Sequence, residues 1–435
     1  MKRIYLLLLL LPAHLHAQES MSLNDCIRMA WSRNPEIRNS DIAIREAKAD
    51  YVSAIGSFLP RATVRAEAGS SRGRAIDPNT NSYTTDSFEE GTVGLDMTLS
   101  LFEGFARINR VKFRQINKER SRLEQQECYN ELAYRVIDAY YKVILEGKLL
   151  ALAAEQSLLS ERYLKQTEQF VTLGLKSVSD LQEVKARRAG DAYRHESRQN
   201  SHRLAVLELR QLMNADKEIA LIPPDSIEEE TLPTSEITQT ESLYKQSLTA
   251  LPAVRLMTLK QQAARKEQAV AAGQFAPSLF ARFQVSSRYG HTLFSAPQLR
   301  DNVGNYIGIG VSFPLLDGLE RIGRLRKQKL NRYRLQNQEE TLKQEIYADV
   351  EKTLLALHAG RAEHRQALQQ VAAERQVLRE SERKWEEGLL SVFELMEARN
   401  RFIAAKAELT RVRLQVEMTR KMEYYYRNGR FIETN

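Results

Sequence analysis

Two stretches of the chain alternate between apolar and polar positions and then change abruptly to a long helical pattern. In the first stretch the apolar positions are Leu95, Met97, Leu99 and Leu101. In the second they are Ile307, Ile309, Val311, Phe313 and Leu315. Alternation with a period of two predicts a strand with one apolar face. An acidic residue and a glycine end each stretch, and a charged sequence without proline follows.

These stretches belong to a longer internal repeat. The segment 94–110 (GLDMTLSLFEGFARINR) matches 308–324 (GIGVSFPLLDGLERIGR), with identities that include both glycines and two arginines. The segment 33–38 (RNPEIR) likewise corresponds to 250–255 (ALPAVR). The sequence therefore predicts two structural repeats, 18–213 and 241–435, joined by an irregular connector at 214–240, and no separate sequential domains.

Long helical hairpins are predicted within each repeat. No proline occurs from Asn79 to Ile222 or from Leu315 to the C-terminus, and a proline inside a helix costs about 3 kcal/mol. Residues 104–172 predict one nearly continuous helix of about 100 Å. The turn 173–182 (LGLKSVSDLQ) reverses its direction, and it recurs as 387–396 (EGLLSVFELM). The heptad seam Leu395, Phe402, Leu409 and Val416 follows.

Four one-faced strands per chain are expected, with polar external loops at 72–91 and 288–302 between them. The strands of the second repeat are predicted at about 279–287 and 305–316. Four strands cannot close a barrel, and an open sheet in lipid leaves edge groups unpaired. Three chains would supply twelve strands, enough for a water-filled barrel. The alternative is that the strands of each repeat form half of a small soluble β-sandwich.

The N-terminus predicts export. Lys2 and Arg3 precede the apolar run Tyr5–Leu11, and Ala17 follows at a small-residue cleavage position. This pattern is typical of a signal peptide, here 1–17. The whole chain has a formal net charge of +8. Because its positive side chains alternate with Glu and Asp, solvated helix faces are favoured over nucleic-acid binding.

Few residues indicate site chemistry. Cys26 and Cys128 permit a disulfide in an exported protein but equally fit two separate thiols. The pairs His195/His202 and His358/His364 lack metal-ligand spacing and are interpreted as solvated helix positions. We predict no catalytic residues, no metal and no cofactor, and therefore no enzyme.

The organisation resembles that of the TolC-type outer-membrane efflux proteins. The similar features are Asn34–Glu36 (NPE), SFLPRA at 57–62, the LFEG and LLDG corners and the two G-x-x-S turns. The resemblance implies a mainly α fold with β, in which long α-hairpins form a periplasmic tunnel. It also implies that four strands per chain contribute to a shared 12-stranded trimeric transmembrane β-barrel. The chain would reside in the outer membrane of a Gram-negative bacterium, with a large periplasmic part.

The resemblance also implies partners and sites. The partners are two further copies in a homotrimer, outer-membrane lipid, a periplasmic adaptor (membrane fusion protein) and an inner-membrane transporter. In the family the hairpin tips meet the adaptor, which marks Gly174, Leu175, Ser177, Gly388, Leu389 and Ser391 as docking residues. The alternative for these residues is turn chemistry alone, since Gly ends helices and Ser caps them.

An acidic pair just after the second tip lines the closed entrance in the resembled family. Here the pair is Glu394 and Glu397, with Asp180 and Glu183 at the corresponding places of the first repeat. Trp385 stands where an aromatic residue ties the entrance shut, whereas Leu390 replaces a basic one. The alternative is that the carboxylates serve the helix N-terminal dipole.

Two functions therefore remain. One is a passive channel-tunnel of a tripartite efflux or type I secretion system. The other is a periplasmic coiled-coil adaptor or scaffold without a pore. An adaptor would have one hairpin flanked by lipoyl-like β modules, whereas this sequence has two hairpins flanked by long alternating strands, which favours the channel.

Overall fold

The computed structural model describes residues 20–76, 81–85, 87–215, 220–222, 239–290 and 295–432. The helices are α1 Leu23–Arg33, α2 Pro35–Gly56, α3 Ala106–Thr172, α4 Val178–Met213, α5 Thr240–Ala250, α6 Pro252–Gly273, α7 Ala296–Asp301, α8 Glu320–Glu386 and α9 Val392–Asn428. The strands are β1 Ser20–Met21, β2 Arg61–Arg72, β3 Ala75–Ile76, β4 Tyr83–Thr84, β5 Ser87–Glu103, β6 Ala220–Leu221, β7 Ser278–Gly290 and β8 Gly304–Ser312. Among the described helices, none is both long enough and apolar enough to cross a membrane.

The mainly helical fold with two repeats and four long strands is confirmed. The helices α3 and α8, one in each repeat, have 67 residues each. Some strand and loop boundaries differ from the predicted ones. β8 ends at Ser312 rather than 316, just before Pro314, which has no N–H to donate to a ladder. The segment 72–91 includes β3, β4 and the start of β5, and the segment 288–302 includes α7.

Two predicted segments fall largely outside the described residues. The signal peptide 1–17 does so entirely and stays a prediction. Of the connector 214–240, the structure describes residues 214–215, 220–222 and 239–240. Asn214 ends α4 in the left-handed region with φ of 48°, and β6 pairs in parallel with β1.

The chain divides into two compact units, each drawing on both repeats. The first takes described residues from Met1–Arg38, Glu127–Leu251 and Glu345–Asn435. Its largest core cluster lies among α1, α3, α4 and α9 and includes Ile27, Leu132, Tyr140 and Met213. A capping box starts α1, since Ser22 and Asp25 form reciprocal hydrogen bonds. Cys26 is buried and Cys128 half-buried, and both are free thiols.

The second unit, Asn39–Gln126 and Pro252–Gln344, contains an antiparallel sheet in the order β2-β5-β7-β8. Its register aligns the apolar positions of neighbouring strands, for example Met97 with Phe283 and Phe283 with Ile307. Directly paired residues point to the same face. One face is therefore apolar across all four strands, while the other is polar and includes an ion pair between Arg282 and Asp96 (3.3 Å). Within the described chain the outer edges of β2 and β8 have no strand partner.

An arginine fixes each strand-to-helix corner of this unit. Arg107 donates hydrogen bonds to the carbonyl oxygens of Ser57 and Ser100 and lies over the Phe58 ring. Arg321 does the same in the second repeat, where it donates to the carbonyls of Gln274 (3.3 Å) and Pro314 (3.0 Å) and lies over the Phe275 ring. Each guanidinium thus joins the helix start to the end of the preceding strand or the residues just after it, and to a segment about 50 residues earlier.

Each corner turns through two consecutive left-handed residues. These are Gly104 and Phe105 in the first repeat, and Gly318 and Leu319 in the second. For Phe105 and Leu319 this conformation costs roughly 1–2 kcal/mol. The carbonyl bonds of the two arginines offset that cost, because they hold the chain in its turned path.

Candidate functional site

The two helical hairpins end in tips of the same geometry. At the first tip Gly174 has φ of 70°, and the N–H of Leu175 donates to the carbonyl of Phe170 (2.8 Å). At the second tip Gly388 has φ of 73°, and Leu389 donates to Lys384 (2.8 Å). A left-handed glycine followed by this long hydrogen bond ends a helix in a Schellman motif. Neither glycine is crowded, so the backbone angle rather than packing requires it.

A capping box starts the second helix of each hairpin. Ser391 Oγ accepts a hydrogen bond from the Glu394 N–H (3.2 Å), and the Glu394 carboxylate accepts from the Ser391 N–H (3.1 Å). Ser177 and Asp180 form the same pair of bonds, at 3.1 Å and 2.9 Å. Hydrogen bonds from these serines lower the pKa of both carboxyls below their ordinary values. Glu394 and Asp180 are therefore negatively charged caps of α9 and α4, as the alternative interpretation of the acidic pair expected.

Apolar side chains surround the glycines on the tip surface. They are Leu173, Leu175 and Val178 on the first tip and Leu389 and Phe393 on the second, and they are 59–73% exposed. Exposed apolar groups held by a rigid turn are suited to contact with another protein. The six predicted docking residues thus lie together in two matching turns, and their docking role stays a prediction.

A groove between α4 and α9 brings together a different acidic pair. Glu183 and Glu397 both line this space of about 460 Å³, together with Arg187, Phe393 and Met396. Arg401 donates a hydrogen bond to the Glu397 carboxylate (3.4 Å). The four carboxylates predicted to form the gate therefore have two different environments. Asp180 and Glu394 cap helices, whereas Glu183 and Glu397 line the groove.

Trp385 is buried beneath this second tip, with 4% of its surface exposed. It packs in a cluster with Val184, Val392, Leu395 and Met396. The Tyr163 ring from α3 meets it edge-on, with the ring centroids 5.1 Å apart. Leu390 packs against the same cluster. Apolar contact therefore joins the two hairpins at this tip, and the predicted role of Trp385 in closing an entrance stays a prediction.

Sequence reasoning missed a buried arginine on α9, Arg399, which lies one helical turn after Leu395. Arg399 is 4% exposed and lies over the Tyr163 ring, 5.7 Å from its centroid. Burial lowers the pKa of its guanidinium, while Tyr163 and Asp191 partly restore it. Its position four residues after Leu395 places it on the buried face of α9, and that spacing was the available signal. His364 corrects another interpretation, since it is buried beside Arg413 rather than solvated.

The comparisons with known proteins agree with this geometry. The family profile described as outer membrane efflux protein matches residues 26–215 and 243–421. The two matched segments divide at the connector, so they follow the two repeats. No curated protein sequence matches the chain.

Several solved outer-membrane channels have the same fold. The CmeC outer membrane channel of Campylobacter jejuni is 13% identical, covers 94% of this chain and 85% of its own, and has a TM-score of 0.80. The outer membrane protein VceC of Vibrio cholerae is 15% identical, with coverages of 94% and 97% and a TM-score of 0.77. The Neisseria gonorrhoeae MtrE outer membrane channel, in an open state, is 15% identical, with coverages of 94% and 89% and a TM-score of 0.75.

Proposed function

Because the chain belongs to the outer membrane efflux protein family, we propose that it is the outer-membrane channel-tunnel of a tripartite export system. It conducts substrates passively from an inner-membrane transporter and a periplasmic adaptor to the exterior. The observation that carries the proposal is the one-faced sheet whose two outer edges lack a strand partner within the described chain. A structure of this kind becomes stable in lipid only when other copies pair those edges.

Assembly of three copies would pair the open edges of the sheet and place each of its faces in a suitable environment. Twelve strands close a barrel with an aqueous interior, whereas the four strands of one chain do not. The apolar face then meets lipid, and the polar face with Arg282 and Asp96 lines the water-filled bore. Two copies would close only eight strands, whose interior is filled by side chains, so the homotrimer is the smallest assembly that pairs the edges and also leaves a water-filled bore.

The hairpin tips supply the adaptor contact in this proposal. Both tips present apolar groups on a rigid turn, and the two turns match in backbone angle and hydrogen bonding. One adaptor hairpin can therefore recognise either tip. The docking residues are Gly174, Leu175, Ser177, Gly388, Leu389 and Ser391.

Deletion of the gene in its host, followed by complementation, tests the function. The wild-type gene should restore export of a fluorescent dye and the protein should sediment with the outer membrane. A pore-less periplasmic scaffold would instead leave the membranes on carbonate extraction. Normal dye export in the deletion strain, with no other channel gene induced, would contradict the proposal.

A tip variant tests the docking role separately. Gly174→Trp with Gly388→Trp should abolish export while trimers stay in the outer membrane, because a bulky side chain covers the tip surface. The matched control is Gly174→Asn with Gly388→Asn, since Asn tolerates positive φ with little bulk. The docking role fails if the tryptophan variant exports dye normally, or if the asparagine control loses as much export.

A further inference from the structure

The start of α8 and its partner α6 carry an excess of positive charge. Together, α6 and residues 320–334 have eleven basic and two acidic side chains. The corresponding elements of the first repeat, α2 and residues 106–120, have nine basic and five acidic side chains. The two repeats share a fold, so the difference is specific to the second one.

Two basic side chains of α3 contact α2 in the first repeat, whereas three basic side chains of α8 form no ion pair within the described chain. Arg114 on α3 forms an ion pair with Asp50 on α2 (2.5 Å), and Lys118 lies over the Tyr51 ring. On α8, by contrast, Arg326, Lys327 and Lys329 are exposed and form no ion pair with any residue that the structure describes. These three residues lie in the second and third turns of α8, beyond the first turn to which the macrodipole effect is confined.

Apolar side chains occupy the same exposed face. Ile322, Arg326, Lys329 and Tyr333 follow one another at intervals of four, three and four residues, which places them on one stripe of the helix. Ile322 is 54% exposed and Tyr333 51%. A face about a quarter of a turn away from this stripe packs on α6, where Arg332 donates to the side chain of Gln268 (2.8 Å) and Gln261 donates to the Glu339 carboxylate (2.6 Å). Exposed basic and apolar residues are thus interleaved on a surface adjacent to the one that packs on α6.

This surface continues from the apolar face of β8. Leu315 and Leu316, in the corner between β8 and α8, are 78% and 96% exposed. Arg326 follows the start of α8 by six residues, or about 9 Å of helix, and Lys329 by about 14 Å. The polar headgroup layer is roughly 5–8 Å thick on each side of the hydrocarbon core, and surface charge acts over a further 8 Å or so. Extended Arg and Lys side chains at these depths reach lipid phosphates when the sheet lies in hydrocarbon.

We propose that this α8 interfacial surface, formed by Leu319, Ile322, Arg326, Lys329 and Tyr333 with exposed Lys327 on the adjoining face, binds anionic phospholipid headgroups in the inner leaflet of the outer membrane. The inference rests on the proposed barrel, which places the apolar sheet face in lipid. A mixture of basic and apolar side chains is typical of membrane interfaces. Contact with an anionic solute inside the bore would not require exposed Leu, Ile and Tyr side chains.

Lipid retention by the purified trimer tests the proposal. Trimers would be equilibrated in mild detergent with equal amounts of phosphatidylglycerol and phosphatidylcholine, and the bound lipids would be quantified by mass spectrometry. The wild type should retain phosphatidylglycerol preferentially, and this preference should weaken as salt is raised. Arg326→Gln with Lys327→Gln and Lys329→Gln should reduce the preference by about tenfold or more, given the contribution of each basic residue near a membrane.

A charge-matched variant on the same helix is the control. Arg365, Arg379 and Lys384 are also exposed on α8 and have no ion pair within the described chain. Changing these three to Gln should leave the lipid preference unchanged. An unaltered preference in the first variant, or an equal loss in the control, overturns the proposal. So does a change in the ion selectivity of the pore without a change in bound lipid, since it would place the surface in the bore. Failure of the wild type to form trimers would instead count against the proposed function.

Discussion

Glu394 shows at the residue scale how one side chain combines a structural role with a predicted functional one. Its carboxylate caps α9 through Ser391, and its charge was predicted to line the tunnel entrance. Removing the side chain would therefore remove both the cap and the charge. Glutamine separates them, because its amide oxygen still accepts the hydrogen bond of a capping box.

We predict that Glu394→Gln with Glu397→Gln retains trimers but loses cation preference in planar bilayers. The same variant should lose its block by multivalent cations applied from the periplasmic side, because six carboxylates in three chains no longer form a ring that attracts them. Asp180→Asn with Glu183→Gln, the equivalent change in the first repeat, is the matched comparison. Selectivity and block that stay as in the wild type would place the gate elsewhere.

The caps also predict a pH dependence confined to the tips. Because the pKa values of Asp180 and Glu394 are lowered in the folded state, their stabilisation is present above the ordinary carboxyl range and is lost as pH falls below it. Hydrogen exchange at the tips, corrected for the intrinsic rate, should therefore accelerate as pH falls below about 4.5. Ser177→Ala with Ser391→Ala removes both hydroxyl caps, each worth about 1 kcal/mol, and should weaken this dependence, because only the backbone N–H bonds to the carboxylates remain. Identical pH profiles in variant and wild type would show that the caps do not control tip opening.

At the scale of elements, the strand-to-helix corner of the first repeat depends on a contact between two glycines. A Cβ on Gly273, the last residue of α6, would lie 2.5 Å from the carbonyl oxygen of Gly104. Its repeat counterpart, Gly56 at the end of α2, has open space around the same position. The two glycines thus occupy equivalent positions in the repeats, but only Gly273 is in close contact with another backbone segment.

Gly273→Ala should lower the stability of the trimer by about 1–3 kcal/mol, because backbone has to move to admit the methyl group. Gly56→Ala should be neutral or slightly stabilising, since alanine is the better helix former. Thermal unfolding of both variants in the same detergent compares them directly. Equal melting temperatures would mean that the corner adapts without cost.

The positions of most long strands and helices were predictable from local sequence patterns. Alternation located β5, β7 and β8, proline gaps located α3 and α8, and the repeated G-x-x-S turns located both tips. The local sequence could not indicate which side chains of long charged helices become buried, since that depends on packing between distant segments. Arg399 and His364 were missed for this reason, and the arginine contacts at the corners join residues up to 50 positions apart.

At the scale of the whole molecule, the two open edges of the sheet decide how many chains assemble. The edge of β2 and the edge of β8 belong to different repeats, so a head-to-tail contact between copies pairs one with the other. Head-to-tail contacts close into a ring when the rotation permits and otherwise continue indefinitely. The central claim is that the ring closes at three chains.

Disulfide cross-linking between the two edges tests this claim most directly. In a background with Cys26→Ala and Cys128→Ala, single cysteines would be paired between residues 61–64 of β2 and residues 307–310 of β8, so that several registers are sampled. Oxidation in native membranes should give covalent dimers and trimers on a denaturing gel, with no larger species, for the pairs in register. Cross-links confined to single chains, or a ladder that extends beyond three chains, would contradict a shared twelve-stranded barrel.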